Sequence, residues 1–464
     1  MSRSKKLYIL LGILALACAA TFAVMQMEER KEQIRETGEI ILELPTESVQ
    51  SLSWDYNETS LAFHKDGVWL YDEDENFPVS EEKINGLLEQ FQAFGAAFII
   101  EDVEDFGQYG LDDPVCTIQL STEEQDYEIK LGDYSKMDSQ RYVSIGDGNV
   151  YLVKHDPLDE FNATIRNLID HDEVPDLDQV TGISFSGTEN YSITYEEESA
   201  DTYREEDVYF TRQNGKNLPL DTGRVRDYLD YVGYLNLTDY VTYNATEEEL
   251  STCGLDDPEL TVAVNYTVEE DGQERSDAFV LHVSRDPEEK KTSEEQEEDK
   301  EEEVTAYARV GDSKIVYQIS SAGYKHLMAA SYDDLRHLEV LPADFEDVRQ
   351  VDISLEGSSY TLASEENGKE QVWSYRGEEL EIDSFRDALN ALTADEFMTE
   401  KPSGKEEISL TVSLDREDAG EVQIQLYRYD GEHCIAAVDG ESVCLVKRAA
   451  VVDLIEAVHA IVLD

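Results

Sequence analysis

Positive charge is scarce in this chain: 37 Lys and Arg stand against 105 Asp and Glu, a formal net charge of −68. No basic face can be assembled at such a density of carboxylates, which excludes nucleic acid as a partner. Histidine is sparse as well. The eight, at 64, 155, 171, 282, 326, 337, 433 and 459, include no pair with the spacing of a zinc helix or a zinc-finger arm. The sequence also lacks a Gly-x-Ser-x-Gly elbow, a phosphate-cradling glycine loop and a Ser-x-x-Lys motif. Catalytic, cofactor-binding and metal-binding residues are therefore assigned to none of its positions, and the chain is expected not to be an enzyme.

Apolar residues are not lacking. They make up 41% of the chain and include 26 tyrosines, enough for packed cores, so intrinsic disorder of the whole is a poor reading. The N-terminus, "MSRSKKLYILLGILALACAATFAVMQMEERKE", holds an uninterrupted apolar run from Leu7 to Met25 behind Arg3, Lys5 and Lys6. At about 1.5 Å per residue the run approaches the roughly 30 Å hydrocarbon core of a bilayer. A cleaved signal peptide has a shorter apolar region of about 7–15 residues, so an uncleaved anchor is expected. Cys18 follows "LALA", but Ala15 stands where a lipoprotein cleavage box has Leu, and apolar sequence continues past it. The basic flank precedes the span, whereas Glu28 and Glu29 offset Arg30 and Lys31 after it, which places the body outside the cell membrane. The five basic residues and two glutamates of residues 1–31 contribute +3, leaving −71 on the body.

The stretch "GLDDP" occurs at 110–114 and again at 254–258, inside a wider repeat. Each copy opens with proline and a strand, "PTESVQSLSW" at 45–54, "PDLDQVTGISF" at 175–185 and "PADFEDVRQVDI" at 342–353. All three share Val-x-x-apolar-x-apolar, as Val49/Leu52/Trp54, Val180/Ile183/Phe185 and Val348/Val351/Ile353, the alternation of a half-buried strand. A second strand and then a helix follow, the helices marked by Ile84/Leu87/Leu88/Phe91, Val225/Tyr228/Leu229/Val232 and Phe385/Ala388/Leu389/Leu392, with Ser80 and Asp221 as N-caps of the first two. Gly110 and Gly254 are expected to cap a short helical turn in the left-handed conformation, with Leu111 and Leu255 reaching back to Phe106 and Leu250. Asp112 and Asp256 then read as solvated turn residues. In the third copy only Gly404 of "KPSGKEEISLTV" keeps a trace of the turn. Each copy closes with a hairpin and a helix.

The predicted fold is α+β: three tandem β-rich units of strand hairpins, each sheet carrying one amphipathic helix, behind an N-terminal transmembrane helix. The boundaries are a cytoplasmic basic tail at 1–6, an anchor at 7–27, a juxtamembrane linker at 28–44, and units at 45–174, 175–341 and 342–464. The segment 285–303, with eleven acidic and four basic residues, is expected to be a disordered insertion in the second unit. "DEDENFPVSEEK" at 72–83 begins like a calcium loop and then fails, with Phe77 in place of glycine and Lys83 in place of glutamate. Four cysteines lie outside the membrane span. Cys116 reads as a small buried residue and Cys253 sits at the end of a helical turn in a different unit, whereas Cys434 and Cys444 flank a hairpin turn, leaving a bridge and two packed thiols as alternatives.

The motifs "YGLDDP" at 109–114, "IKLGD" at 129–133, "RYVSIGDGNVYLV" at 141–153 and, more loosely, the second copy at 254–319 resemble those of the domain of unknown function numbered 4340, found in bacterial single-pass membrane proteins. The resemblance implies no established activity, and it implies genes beside those of an ABC transporter of the gliding-motility type. The expected function is a membrane-anchored extracytoplasmic binding or assembly module, with its own membrane and either ABC transporter subunits or a cell-envelope component as partners. The alternative is an extracytoplasmic carboxylate-dependent hydrolase resembling a glycosidase.

Overall fold

The structure, a computed structural model, describes residues 38–463 apart from 102, 137–138, 178, 271, 295–302, 368–369 and 416–419. The tail at 1–6 and the anchor at 7–27 lie outside the described residues. Among the described residues no helix is long and apolar enough to cross a membrane. The chain divides into two compact units, Met1–Asp172 and Glu173–Asp464.

The first unit holds one nine-stranded antiparallel sheet. Its strands are β1 (Glu39–Leu42), β2 (Val49–Tyr56), β3 (Thr59–Asp66), β4 (Val68–Tyr71), β5 (Phe94–Ile100), β6 (Cys116–Thr122), β7 (Asp126–Ser135), β8 (Gln140–Ser144) and β9 (Val150–Val153), in the order β1-β5-β9-β8-β7-β6-β2-β3-β4. The segment 28–44 is thus not linker throughout, because Glu39–Leu42 pairs along β5 as an edge strand.

The second unit holds two more nine-stranded sheets. One comprises β10 (Val180–Gly187), β11 (Tyr191–Tyr195), β12 (Tyr209–Gln213), β13 (Lys216–Pro219), β14 (Tyr240–Thr242), β15 (Leu260–Glu270), β16 (Gln273–Arg285), β17 (Ala306–Val310) and β18 (Val316–Ile319), ordered β13-β12-β11-β10-β15-β16-β17-β18-β14. The other comprises β19 (Val348–Leu355), β20 (Ser358–Asn367), β21 (Glu370–Tyr375), β22 (Glu378–Glu379), β23 (Glu396–Phe397), β24 (Glu406–Leu414), β25 (Glu421–Arg428), β26 (His433–Val438) and β27 (Glu441–Lys447), ordered β22-β21-β20-β19-β24-β25-β26-β27-β23. The two orders are identical element for element. The first sheet follows the same plan, except that it lacks the fourth strand and gains β1 outside β5.

The strand that opens each repeat carries one irregularity at one place. Register against the central partner shifts between Val49 and Ser51, between Val180 and Gly182, and between Val348 and Gln350. The Val-x-x-apolar spacing is the sequence trace of this bulge: the extra residue lets the valine and the later apolar residues face the same core. Val49, Leu52, Trp54, Val180, Ile183, Phe185, Val348, Val351 and Ile353 are all buried.

Each repeat carries the amphipathic helix and the closing helix expected from the sequence. Glu81–Glu89, Thr222–Gly233 and Asp383–Asn390 present the apolar stripes read from the sequence, and a second helix closes each repeat, at Leu158–Phe161, Ser321–Met328 and Arg448–Leu463. The Ser80 hydroxyl accepts from the Lys83 amide and the Asp221 carboxylate from the amides of Gly223 and Arg224. In the second repeat the Tyr228 hydroxyl donates to the Leu327 carbonyl at 3.0 Å, tying the two helices across the core.

The pentapeptide is a helix cap. Gly110 and Gly254 have φ of 70° and 71°. The Leu111 amide donates to the Phe106 carbonyl at 3.1 Å and the Leu255 amide to the Leu250 carbonyl at 2.8 Å, while each glycine amide reaches back three residues. This is the Schellman pattern, and both leucines are buried beneath it. "IKLGD" supplies its floor: a Cβ on Gly132 would stand 2.2 Å from the Tyr109 carbonyl. Gly404 does not keep the cap. It is outside the left-handed region, and its missing Cβ instead clears the Arg428 carbonyl, which a Cβ would approach to 1.8 Å.

The insertion at 285–303 is not disordered at its start, because Pro287–Glu294 is helical. Asp286 caps it by accepting from the Glu288 and Glu289 amides, and proline at the first helical position has no amide to leave unpaired. Lys290 binds Glu259 at 2.6 Å and Glu289 accepts from Thr305, so the helix is fastened to the sheet. Residues 295–302 lie outside the described residues.

Substituting Gly110 tests the cap. Gly110→Val is expected to destabilise its unit by about 1 kcal/mol or more, from the strained conformation and from the Asp133 amide 2.9 Å from the new Cβ. Asp112→Asn, on an exposed side chain, is expected to stay within about 0.5 kcal/mol of the parent in denaturant unfolding.

Candidate functional site

The aspartates of the pentapeptides, Asp112, Asp113, Asp256 and Asp257, are all exposed on the outer side of their turns. The calcium-like run is likewise consumed by local structure: Asp72 binds His64 at 2.6 Å, Asp74 accepts from the Asn76 amide, and Phe77 is buried. Among the described residues no group of three or more His, Cys, Asp or Glu is placed to hold a metal ion.

All four cysteines outside the N-terminal segment are free and buried. The hairpin turns at Asp439 and Gly440, both with positive φ, and a bulge in β27 then places Cys444 opposite Ala436 and Cys434 opposite Val446. The bridge considered from the sequence does not form. The two thiols share a face as diagonal neighbours, a relation spanning about 7–8 Å where a disulfide needs about 4.4–6.8 Å between Cα atoms. Burial pushes the Cys116 thiol up to about 12 and those of Cys434 and Cys444 up to about 11.

A polar cluster that no motif announces fastens the β11–β12 loop to the segment that leads into the third repeat. The loop between β11 and β12 crosses to the third sheet, where Tyr203 bridges to Ala343 and packs on the third core. Behind it Asp207, almost fully buried, accepts from the Thr202 hydroxyl at 2.6 Å and lies 2.8 Å from His337 Nε2. The other ring nitrogen of His337 faces Asp221 and Glu339, each at 3.8 Å. Arg204 pairs with Glu339 at 3.5 Å and donates to the Leu341 carbonyl at 3.2 Å. The connecting segment pairs with the third repeat, Val340 to Leu392 and Ala394 to Leu338, and the Arg336 guanidinium lies 4.1 Å from the Phe397 ring centre.

A groove opens on the second repeat. The helix Thr222–Gly233, the ends of β11 and β12, the segment before β10 and the β15–β16 hairpin enclose a groove of about 1030 Å³. Three tyrosines line it. Tyr195 and Tyr209 meet edge to face at 5.7 Å, Tyr209 is buried, and Tyr234 at the helix end is 86% exposed. Burial raises the Tyr209 hydroxyl above its ordinary value, against an opposing pull from the Arg226 guanidinium. The Thr267 hydroxyl donates to the Gln179 side-chain carbonyl at 2.8 Å and the Thr267 amide to the Gln179 carbonyl, which fixes the wall. Four carboxylates, Asp176, Glu197, Asp230 and Glu274, stand on the rim, all exposed. Among the described residues the carboxyl held above its ordinary range is that of Glu189, by burial first and then by the charges of Asp334 and Asp333. Glu189 is not part of the groove wall.

The sequence profile of a family described as Domain of unknown function (DUF4340) matches this chain twice, over residues 69–258 and 211–411. Both matches open in the third strand of the common plan, β4 and β12, and end at or in the strand that follows the pentapeptide position, so the family's unit is offset from the sheet. No curated protein and no solved structure matches the chain.

Two outcomes follow from the buried groups. Cys116, Cys434 and Cys444 are expected to resist iodoacetamide at pH 8 in the folded protein and to react in denaturant, as read by mass spectrometry. Because their folded values lie above the ordinary 9.0, the stability they contribute is complete below pH 9 and is lost as pH rises toward about 12. Asp207→Ala leaves Thr202 and His337 without their shared partner and is expected to cost about 1–3 kcal/mol in thermal unfolding.

Proposed function

Because the chain belongs to the family described as Domain of unknown function (DUF4340), whose description assigns no activity, we propose that it is a membrane-anchored extracytoplasmic binding and assembly module. In this reading the N-terminus is cytoplasmic and the body lies outside. ABC transporter subunits or a cell-envelope component are its partners. The observation that carries it is the groove on the second repeat: a concave, tyrosine-lined surface on a body whose second and third repeats meet through Tyr203 and the segment around Val340. A rigid wall with exposed polar groups suits recognition. The basic flank and the apolar run from Leu7 to Met25 support the anchor, and the −71 charge on the remainder suits a solvated body.

The hydrolase alternative requires an acid raised above its ordinary range beside an ionised partner, both facing a substrate cleft. The rim carboxylates are exposed and Glu189 lies elsewhere, so the groove favours binding.

Protease added to intact, wall-stripped cells is expected to digest the body; protection would refute the topology. A pulldown of the full chain from solubilised membranes is expected to recover a transporter subunit or an envelope component, and recovery of the chain alone would count against the assembly reading.

A further inference from the structure

We infer that the groove on the second repeat binds a neutral glycan. The inference rests on the binding-module reading and names the ligand class of that same groove. Charge does not set this place apart, since a cationic ligand finds carboxylates everywhere on a chain with 105 acidic residues. What sets it apart is aromatic surface. Tyr234 is 86% exposed and Tyr195 42%, although neither contributes to a core, and both border the same cavity. Tyr209 is 5% exposed and holds Tyr195 edge to face, so that ring is braced before any ligand arrives.

A pyranose ring matches these parts. One face of it is a sheet of C–H bonds that lies over an aromatic ring, whose amphipathic body tolerates water until covered. Its edge is a row of hydroxyls, each both donor and acceptor. Carboxylates accept from such hydroxyls, and a guanidinium donates through a planar fork. Glu197 and Asp230 supply the first on the rim and Arg226 the second. The same inventory selects against other ligands. Four carboxylates against one arginine repel phosphates and acidic polysaccharides, and the polar rim gives a purely apolar ligand nothing to cover. A volume of about 1030 Å³ is at the upper limit of single-ligand pockets, about 300–1,000 Å³, and suits several sugar rings in a row.

The test is calorimetric titration of the detergent-solubilised full chain with three neutral probes, cellohexaose, chitohexaose and maltohexaose, and separately with octalysine. At least one hexasaccharide is expected to bind, with affinity that barely changes with salt and falls tenfold or more in Tyr234→Ala and in Tyr195→Ala. Both side chains are surface-exposed, so unchanged thermal unfolding of the variants checks that the fold is retained. Arg226→Lys keeps the charge but loses the fork and is expected to weaken binding too. Failure of all three sugars to bind, or sugar binding that both tyrosine variants leave unchanged, overturns the inference. So does octalysine binding that Tyr234→Ala weakens while the sugars stay unbound, which would assign the groove to a basic peptide. The membrane pulldown uses no sugar and reports separately on the binding-module reading.

Discussion

In all three sheets the strand that opens the repeat pairs antiparallel with the strand that leaves the pentapeptide position, joining Leu52 to Leu120, Ile183 to Val264 and Val351 to Val412. This pairing is where two hairpin meanders become one sheet. On one side lie the opening strand and its following hairpins, on the other the four strands after the turn with β5, β14 or β23 at their far edge and β1 beyond β5, and among the described residues the two halves of each sheet are bonded to one another only along this seam. The residues joined are roughly 60–80 apart in sequence, so the closure cost is met by what the seam organises: the bulge that aims the first valine inward and the helix that covers the combined face. The Schellman cap matters for the same reason. It delivers the departing strand to the seam in an extended direction, with leucine already buried beneath it. The third repeat keeps the seam without the cap, Gly404 doing so through close packing against the Arg428 carbonyl.

Much of this was legible in the sequence, because the signals are periodic and local. The Val-x-x-apolar spacing marked the opening strand, and the caps at Ser80 and Asp221 and the apolar stripes marked the helices. Other features were hidden for physical reasons. The edge strand Glu39–Leu42 has only four residues, and its partner lies more than fifty residues away. The helix at Pro287–Glu294 was masked by its charge, although Asp-Pro-Glu-Glu is a well-formed start: a capping aspartate, proline in the first position and acids where the helix dipole favours them. The Cys434–Cys444 register depended on a bulge after a two-residue turn, and one inserted residue moves every later pairing.

The groove was illegible for a different reason. Tyr195, Tyr209, Arg226, Tyr234 and Thr267 come from four segments, and each reads alone as an ordinary strand, helix or hairpin residue. The Asp207–His337 cluster is similar, since its members are separated by 130 positions and meet where the loop after β11 packs on the segment leading into the third repeat. Spacing motifs report chemistry when one element carries it. Here the polar groups converge through topology, and the glutamate whose titration is shifted upward, Glu189, gains its setting from a helix far along the chain.

Three sheets built on one plan in one polypeptide create a hazard during synthesis. Each opening strand must wait some 60–80 residues for its partner, and the corresponding strand of a neighbouring repeat offers the same register and the same direction. Exchange between repeats is a characteristic misassembly of such chains. The seams differ in the shapes they present: Trp54 meets Ile118, Phe185 meets Val262 and Ile353 meets Leu410. An indole inserted where isoleucine belongs overfills the third core, and isoleucine in the tryptophan site leaves a void. Divergence among the repeats therefore acts as an address, sending each strand home to its own sheet.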